Sequence, residues 1–194
     1  MLSSVKWTDV SNIQPLPPMK DFTLTTDDLI YLRIVYKKLI DYDENLSYLG
    51  IPFTVTQYSS ILIASTLYGS KCSRTPRNSF VLAKWAGNYG RIEDNNNRPG
   101  EILHFFRHRI QKKSLDQSTI EAVYTFHIAI INWYSPHPDK CALGGPLQIW
   151  VNDFDCFGAA CFMPVQRLKS RLIVTTGKFK RENVLIVAEA PGEN

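Results

Sequence analysis

The sequence predicts a mainly β domain, an antiparallel barrel or sandwich preceded by one α-helix. After Gly50 and Pro52 the chain becomes a succession of segments rich in β-branched and aromatic residues, which favour strands. Between these segments stand short clusters of Pro, Gly and Asn, which are typical of turns. Regularly spaced strands separated by such turns indicate an all-β architecture.

The N-terminal 22 residues are predicted to form an extended arm. Pro15, Pro17 and Pro18 lack backbone N–H groups and favour extended conformations. We interpret residues 1–22 as a linker or a docking strand.

The following segment, residues 23–50, is predicted to contain a helix that ends near Asn45. Thr25 to Asp28 supply an N-cap and an acidic first turn, and apolar residues then recur at helical spacing from Leu29 to Ile40. Such an amphipathic helix is expected to pack on or beside the barrel. The alternative is that Tyr31, Tyr36, Lys37 and Lys38 serve a partner.

Residues 51–190 are predicted to form the barrel itself. The predicted strands are 53–58, 60–68, 79–85, 101–110, 123–133, 147–151, 160–168, 172–175 and 184–188. Residues 101–110 also fit a helical stripe, so a helix there is an alternative.

The chain is predicted to be an intracellular protein and not a membrane protein. With 44% apolar and 12% aromatic residues it is able to build a core, but its apolar runs are much shorter than the ~20 residues that span a bilayer. The N-terminus lacks the basic and apolar regions of a secretory signal.

The four cysteines are predicted to be reduced thiols. A zinc site is the alternative, because His137 and Cys141 are followed by Cys156 and Cys161. Neither pair has the short knuckle spacing of zinc-binding motifs. Neither a metal nor a cofactor is therefore predicted.

No familiar catalytic signature is present, and the domain is predicted to be non-enzymatic. Asp153 and Asp155 share a strand face and are interpreted as solvated acids and not as metal ligands. His104 and His108 also share one face, without an acidic or cysteine partner nearby in sequence. A cysteine and a histidine that meet in space would make an enzyme the alternative.

The basic residues are concentrated in two parts of the chain. Residues 67–113 contain ten Lys or Arg against three Asp or Glu, and a second basic run without an acid extends from Arg167 to Arg181. If both runs lie on one face they attract phosphate groups; otherwise they are ordinary solvated surface. The candidate nucleic-acid-binding residues are Lys71, Arg74, Arg77, Lys84, Arg91, Arg107, Arg109, Arg167, Lys169, Arg171, Lys178, Lys180 and Arg181.

Two predicted strands end in aromatic residues at a turn. Trp85 and Tyr89 follow the first strand, and Trp133 and Tyr134 end the second. Such rings either stack on bases, surround a methylated lysine as an aromatic cage, or close the end of a barrel core.

Three tracts resemble an accessory domain found in proteins of mobile elements. They are residues 98–108, the strand end Asn132 to Tyr134, and residues 160–168. The Trp-Tyr segment is also loosely similar to the bromo-adjacent homology (BAH) barrel of chromatin proteins. The resemblance covers about residues 60–188. It implies a transposon-encoded nuclear domain that tethers DNA, chromatin or another subunit, and no catalytic residue is carried over.

These observations predict a barrel that binds nucleic acid or chromatin, in the nucleus in preference to the cytoplasm. The first alternative is a protein-interaction module that binds a peptide through the aromatic cage. The second is an enzyme with a Cys/His or metal site.

Overall fold

The computed structural model describes residues 11–39, 49–85, 97–113, 119–154 and 158–191. Its helix α1 spans Thr26–Leu39. The strands are β1 (Ile13–Thr23), β2 (Leu49–Gly50), β3 (Thr54–Ile63), β4 (Thr66–Gly69), β5 (Phe80–Lys84), β6 (Asn97–Lys113), β7 (Ile120–Pro136), β8 (Gln148–Phe154), β9 (Phe162–Pro164), β10 (Leu168–Phe179) and β11 (Glu182–Glu189).

All strand pairings in the sheet are antiparallel, and the predicted β architecture with an N-terminal helix is confirmed. The strand order is β1-β3-β6-β5-β10-β11-β8-β7-β9, and β6 also pairs with β7. That last pairing closes β6, β5, β10, β11, β8 and β7 into an irregular barrel-like ring. Because β6 and β7 are each 17 residues long, they extend beyond the ring, and β6 carries β3 and β1 there.

The described part of the predicted arm is a strand at the edge of the sheet. β1 pairs with β3, and the register shifts between Leu16 and Met19, on either side of Pro17 and Pro18. Prolines are tolerated there because an edge strand has one side without ladder partners.

Helix α1 begins at the capping residues that the sequence predicted. The Asp28 amide donates to the Thr25 hydroxyl oxygen at 3.1 Å, and the Thr25 amide donates to the Asp28 carboxylate at 2.9 Å. This reciprocal pair satisfies two backbone donors at the helix start. The helix buries Leu29, Leu32, Val35 and Tyr36, so it packs against the sheet. The predicted end near Asn45 lies outside the described residues.

Several element boundaries differ from the prediction. The helical alternative for residues 101–110 is wrong, because they belong to β6. β3 extends to Ile63, and the turn follows at Ala64, which has a positive φ of 52°. Within the predicted strand 160–168, the main strand is the short β9. It lies between the short 3-10 helices Ala159–Cys161 and Val165–Arg167.

Buried apolar side chains form two clusters. The larger one joins α1 to β3, β6, β7 and β9 and includes Leu32, Phe105 and Trp133. The smaller one contains Tyr134, Trp150, Leu172, Leu185 and Val187, contributed by ring strands. The larger cluster also includes Val81 and Ala83 of ring strand β5, so the ring strands contribute buried residues to both clusters.

Candidate nucleic-acid interface

Strand pairing brings parts of the two basic runs side by side. β5 follows the 3-10 helix Pro76–Ser79 in the first run, and β10 carries most of the second run. The two strands are antiparallel neighbours, with Val81 opposite Arg171. Residues separated by about 90 positions in the sequence therefore lie on adjacent strands.

One consequence is a groove of about 550 Å³ shared by the two runs. Arg77 lines it from the first run and Arg171 from the second, and Asn78, from the same 3-10 helix as Arg77, also lines it. The groove is otherwise mostly apolar, because Phe80 and the β10 residues Leu172, Ile173 and Val174 also line it.

This groove continues into two others through shared residues. Asn78 also lines a second groove of about 300 Å³, which contains Arg74. Pro18 and Ser59 connect the second groove to a third of about 240 Å³, which contains Lys20 and His104. Among the described residues that line these three grooves there is no Asp or Glu. We call this connected surface the basic track.

The other predicted basic residues that the structure describes are not among the residues that line the basic track. Two of them already have acidic partners: Lys71 lies 3.5 Å from Glu101, and the Lys180 ammonium lies 2.8 Å from the Asp139 carboxylate. Arg167 is only 3% exposed and is not available to a surface ligand. Lys84 and Arg107 are partly exposed, and Arg109, Lys169, Lys178 and Arg181 are exposed. Arg91 lies outside the described residues.

The aromatic residues of the predicted cage do not form an open site. Trp133 is fully buried and Tyr134 is 2% exposed. The Trp133 indole nitrogen donates to the Ala160 carbonyl at 2.9 Å, and its ring contacts Trp85 edge to face. The Arg98 guanidinium lies 4.5 Å above the Trp85 ring. Trp85 and Trp133 therefore have structural contacts within the domain, and Tyr134 is buried. Tyr89 lies outside the described residues.

The histidines and cysteines of the zinc alternative are not brought together in the described structure. His137 accepts a hydrogen bond from the Asp139 amide and contacts the Glu182 carboxylate at 3.4 Å. Cys141 is exposed whereas Cys161 is buried. No group of three or more potential metal ligands occurs within the described ranges. Cys156 and Asp155 lie outside those ranges, and of Asp153 only the backbone is described.

His104 and His108 have different environments. His108 is fully buried, and its Nε2 donates to the Pro52 carbonyl at 3.0 Å. Its Nδ1 accepts from the Tyr36 hydroxyl at 2.7 Å. Burial lowers the pKa of His108 to about 4, although the Pro52 hydrogen bond opposes that shift. His104 instead lines the basic track with exposed Cys72, and burial together with Lys20 lowers the pKa of His104.

A second tyrosine–histidine pair was not predicted. The Tyr58 hydroxyl lies 2.7 Å from Nδ1 of His127. Burial lowers the pKa of His127 to about 4, with a contribution from Arg107, and burial also raises the pKa of Tyr58. Both pairs are neutral core contacts and not exposed acid–base groups. No local pattern predicts them, because the partners are 69 and 72 positions apart.

The track contains one basic residue that sequence reasoning missed. Lys20 belongs to the predicted arm, and only the pairing of β1 with β3 places it beside the barrel.

No helix in the described structure has the length and apolarity needed to cross a membrane. Searches of protein-family models, curated proteins and solved structures find no match to this chain.

Proposed function

We propose that this domain binds single-stranded nucleic acid along the basic track. The observation that carries this proposal is that Lys20, Arg74, Arg77 and Arg171 line connected grooves whose described lining residues include no carboxylate. Four cations aligned on a concave surface attract a polyanion, and each phosphate that they neutralise releases condensed counterions.

The shape and lining of the track favour a single strand over a duplex. Phe80, Leu172 and Ile173 line the groove between Arg77 and Arg171, and Ile173 is 57% exposed. Unstacked bases bury apolar surface in such a groove while their phosphates reach the arginines. The bases of a duplex are stacked inside and do not reach the groove.

The test is fluorescence-anisotropy binding of labelled single- and double-stranded oligonucleotides between about 50 and 200 mM salt. We expect the single strand to bind more tightly. If four phosphates are neutralised, log K falls against log salt with a slope of about −2.8. An Arg77→Gln/Arg171→Gln variant should bind more weakly, with a slope shallower by about 1.4.

The matched control is Lys178→Gln/Arg181→Gln. It removes the same charge from the second basic run, but Lys178 is seven positions along β10 from Arg171, about 23 Å at strand spacing. We expect its salt slope to equal that of the wild type. Equal losses in the two variants would show that only net charge matters, and no binding at 50 mM salt would overturn the proposed function.

The biological setting of the proposal rests on the sequence. The resemblance to mobile-element and BAH domains favours a nuclear protein that is tethered to nucleic acid or chromatin. Expression of a fluorescently tagged full chain tests this part separately, because a purely cytoplasmic signal would contradict it without affecting the binding measurement.

A further inference from the structure

The third groove of the basic track differs from the other two because its polar residues come from three adjacent strands. Lys20 on β1 is directly opposite Gln57 on β3, and Gln57 is directly opposite Phe106 on β6. His104 is two positions from Phe106, so these polar side chains lie on one face of the sheet. Directly opposite Cβ atoms are about 5 Å apart and diagonal ones about 7–8 Å, close enough for one small ligand.

Local irregularities shape the groove. A register shift between Ile102 and His104 interrupts the β6–β7 ladder, which re-aims the neighbouring side chain. The Lys71 amide donates to the Ile102 carbonyl at 2.8 Å, and this contact holds Cys72 beside the same part of β6. The exposed Cys72 thiol therefore lines the groove with His104 and Gln57.

Gln57 provides the independent indication of a ligand. Gln57 is only 7% exposed, and its Oε1 has no hydrogen-bond partner in the described structure. A buried acceptor without a donor costs about 1–3 kcal/mol. Because Oε1 itself is buried, a ligand in the groove reaches it only after the terminal amide torsion rotates, which that torsion does easily. An O–H group of the ligand then removes this cost.

We propose that this groove binds one phosphate group that retains a proton, as hydrogen phosphate or a terminal phosphate monoester. The Lys20 ammonium attracts the negative charge, the His104 ring donates to a phosphate oxygen, and the phosphate O–H donates to Oε1 of Gln57. Phosphodiester groups within a nucleic-acid strand have no O–H for Gln57, so the site favours phosphate ends or free phosphate over internal phosphates. This inference adds an end-specific site to the proposed function but does not depend on it.

The experiment uses Cys72 as a reporter in the full, folded chain. Iodoacetate is anionic and iodoacetamide is neutral, and peptide-level mass spectrometry follows alkylation of each cysteine by the two reagents. Cys141 is the internal control, because it is also exposed and also follows a lysine. One nearby cation in water changes the rate of the anionic reagent by about threefold. We therefore expect an iodoacetate-to-iodoacetamide rate ratio about threefold higher at Cys72 than at Cys141.

The ligand itself is tested by protection. At about pH 6.5 every inorganic phosphate ion carries at least one proton, whereas sulfate carries none. Phosphate should therefore slow iodoacetate alkylation of Cys72 more than sulfate at equal ionic strength. Cys141 should not respond. Lys20→Gln should abolish the protection, whereas Lys37→Gln on the exposed face of α1 should not. Equal rate ratios at the two cysteines, or equal protection by sulfate, would overturn the proposal.

The source of the phosphate is distinguished with oligonucleotides. A 5′-phosphorylated single strand should protect Cys72 more than the same strand without the terminal phosphate if the site receives a strand end. Equal protection by the two strands, together with protection by inorganic phosphate, would assign the site to a free phosphate. Failure of nucleic-acid binding leaves the inorganic phosphate result interpretable, because that measurement contains no nucleic acid.

Discussion

The Tyr36 hydroxyl donates to Nδ1 of His108 across 2.7 Å, between helix α1 and strand β6. The direction of this hydrogen bond follows from the other ring nitrogen. The Pro52 carbonyl can only accept, so Nε2 carries the proton of the neutral ring and Nδ1 is the acceptor. Tyr36 also packs on Phe126 with ring centroids 4.9 Å apart. This contact joins the helix to the sheet by a polar bond inside the apolar core.

Tyr36→Phe is expected to destabilise the protein by about 1–3 kcal/mol. The substitution keeps most of the packing but leaves Nδ1 of buried His108 without its donor. Urea unfolding followed by circular dichroism measures the change. Tyr124→Phe is the control, because the Tyr124 hydroxyl has no hydrogen bond within the described structure, and a change within about 0.5 kcal/mol is expected. Equal effects of both substitutions would contradict this role for the hydrogen bond.

Stability should fall as pH decreases from about 6.5 towards 4. The folded-state pKa values of His108 and His127 are about 4, below the ordinary value of 6.5. The unfolded chain therefore binds protons over this interval that the folded chain does not, and full stability is present only above about pH 6.5. Each histidine contributes a slope of up to about 1.4 kcal/mol per pH unit.

The matched variants for this prediction are His108→Gln and His127→Gln. Each removes one titrating ring, so the pH dependence of the unfolding free energy between about pH 6.5 and 4.5 should lose the contribution of that histidine. The contributions of the other histidines, including His104, whose pKa is also lowered, should remain. Urea unfolding at several pH values provides the measurement. If the wild-type unfolding free energy does not change over this range, the buried-neutral assignment of both histidines is wrong.

Trp133→Phe tests whether this tryptophan is a core residue or part of a cage. The substitution shrinks a fully buried side chain and removes the hydrogen bond to the Ala160 carbonyl. We expect a loss of about 2–4 kcal/mol in unfolding free energy, with unchanged nucleic-acid affinity in the folded fraction. A stable Trp133→Phe variant that no longer binds a methyl-lysine peptide bound by the wild type would support the cage instead.

Lys180 should control the titration of Asp139. The hydrogen bond from Lys180 lowers the pKa of Asp139. Desolvation opposes this shift, and the charges of Lys180 and His137 add to it. In Lys180→Met the pKa of Asp139 should rise towards its ordinary value, as followed by carboxyl-carbon NMR. Lys178→Met is the matched control and should leave this pKa unchanged. Equal pKa values in all three proteins would contradict the contact.

Local signals predicted the parts of the fold that depend on neighbouring residues. The Thr25 to Asp28 capping pattern placed the start of α1 correctly, because a cap is satisfied within one turn. Two boundaries were misplaced. Residues 165–167 contain strand-forming side chains but form a 3-10 turn, and the β10–β11 turn at Lys180 and Arg181 was read only as part of a basic run. Both residues have positive φ there, 48° and 73°, which composition alone does not indicate.

The candidate site was predicted only in part. A shared face for the two basic runs was one of two alternatives in the sequence, and the structure brings Arg77 and Arg171 to one groove. Lys71 and Lys180 were counted as free cations, but each has an acid as its partner, because contacts between distant segments are invisible in the sequence. Arg167 was expected at the surface, yet its segment is buried beside β9 and β10.

Composition and periodicity were sufficient to predict a β-rich domain with one helix, since strand propensity, turn residues and helix caps act over a few neighbouring positions. The basic track could be identified only from the folded structure. Lys20, Arg74 and Arg171 share a surface only because β1 pairs with β3 and β10 pairs with β5. Packing between segments distant in sequence likewise buries Trp133 and the two tyrosine–histidine contacts. Strand register depends on interactions throughout the core, so the residues of one strand do not determine it alone.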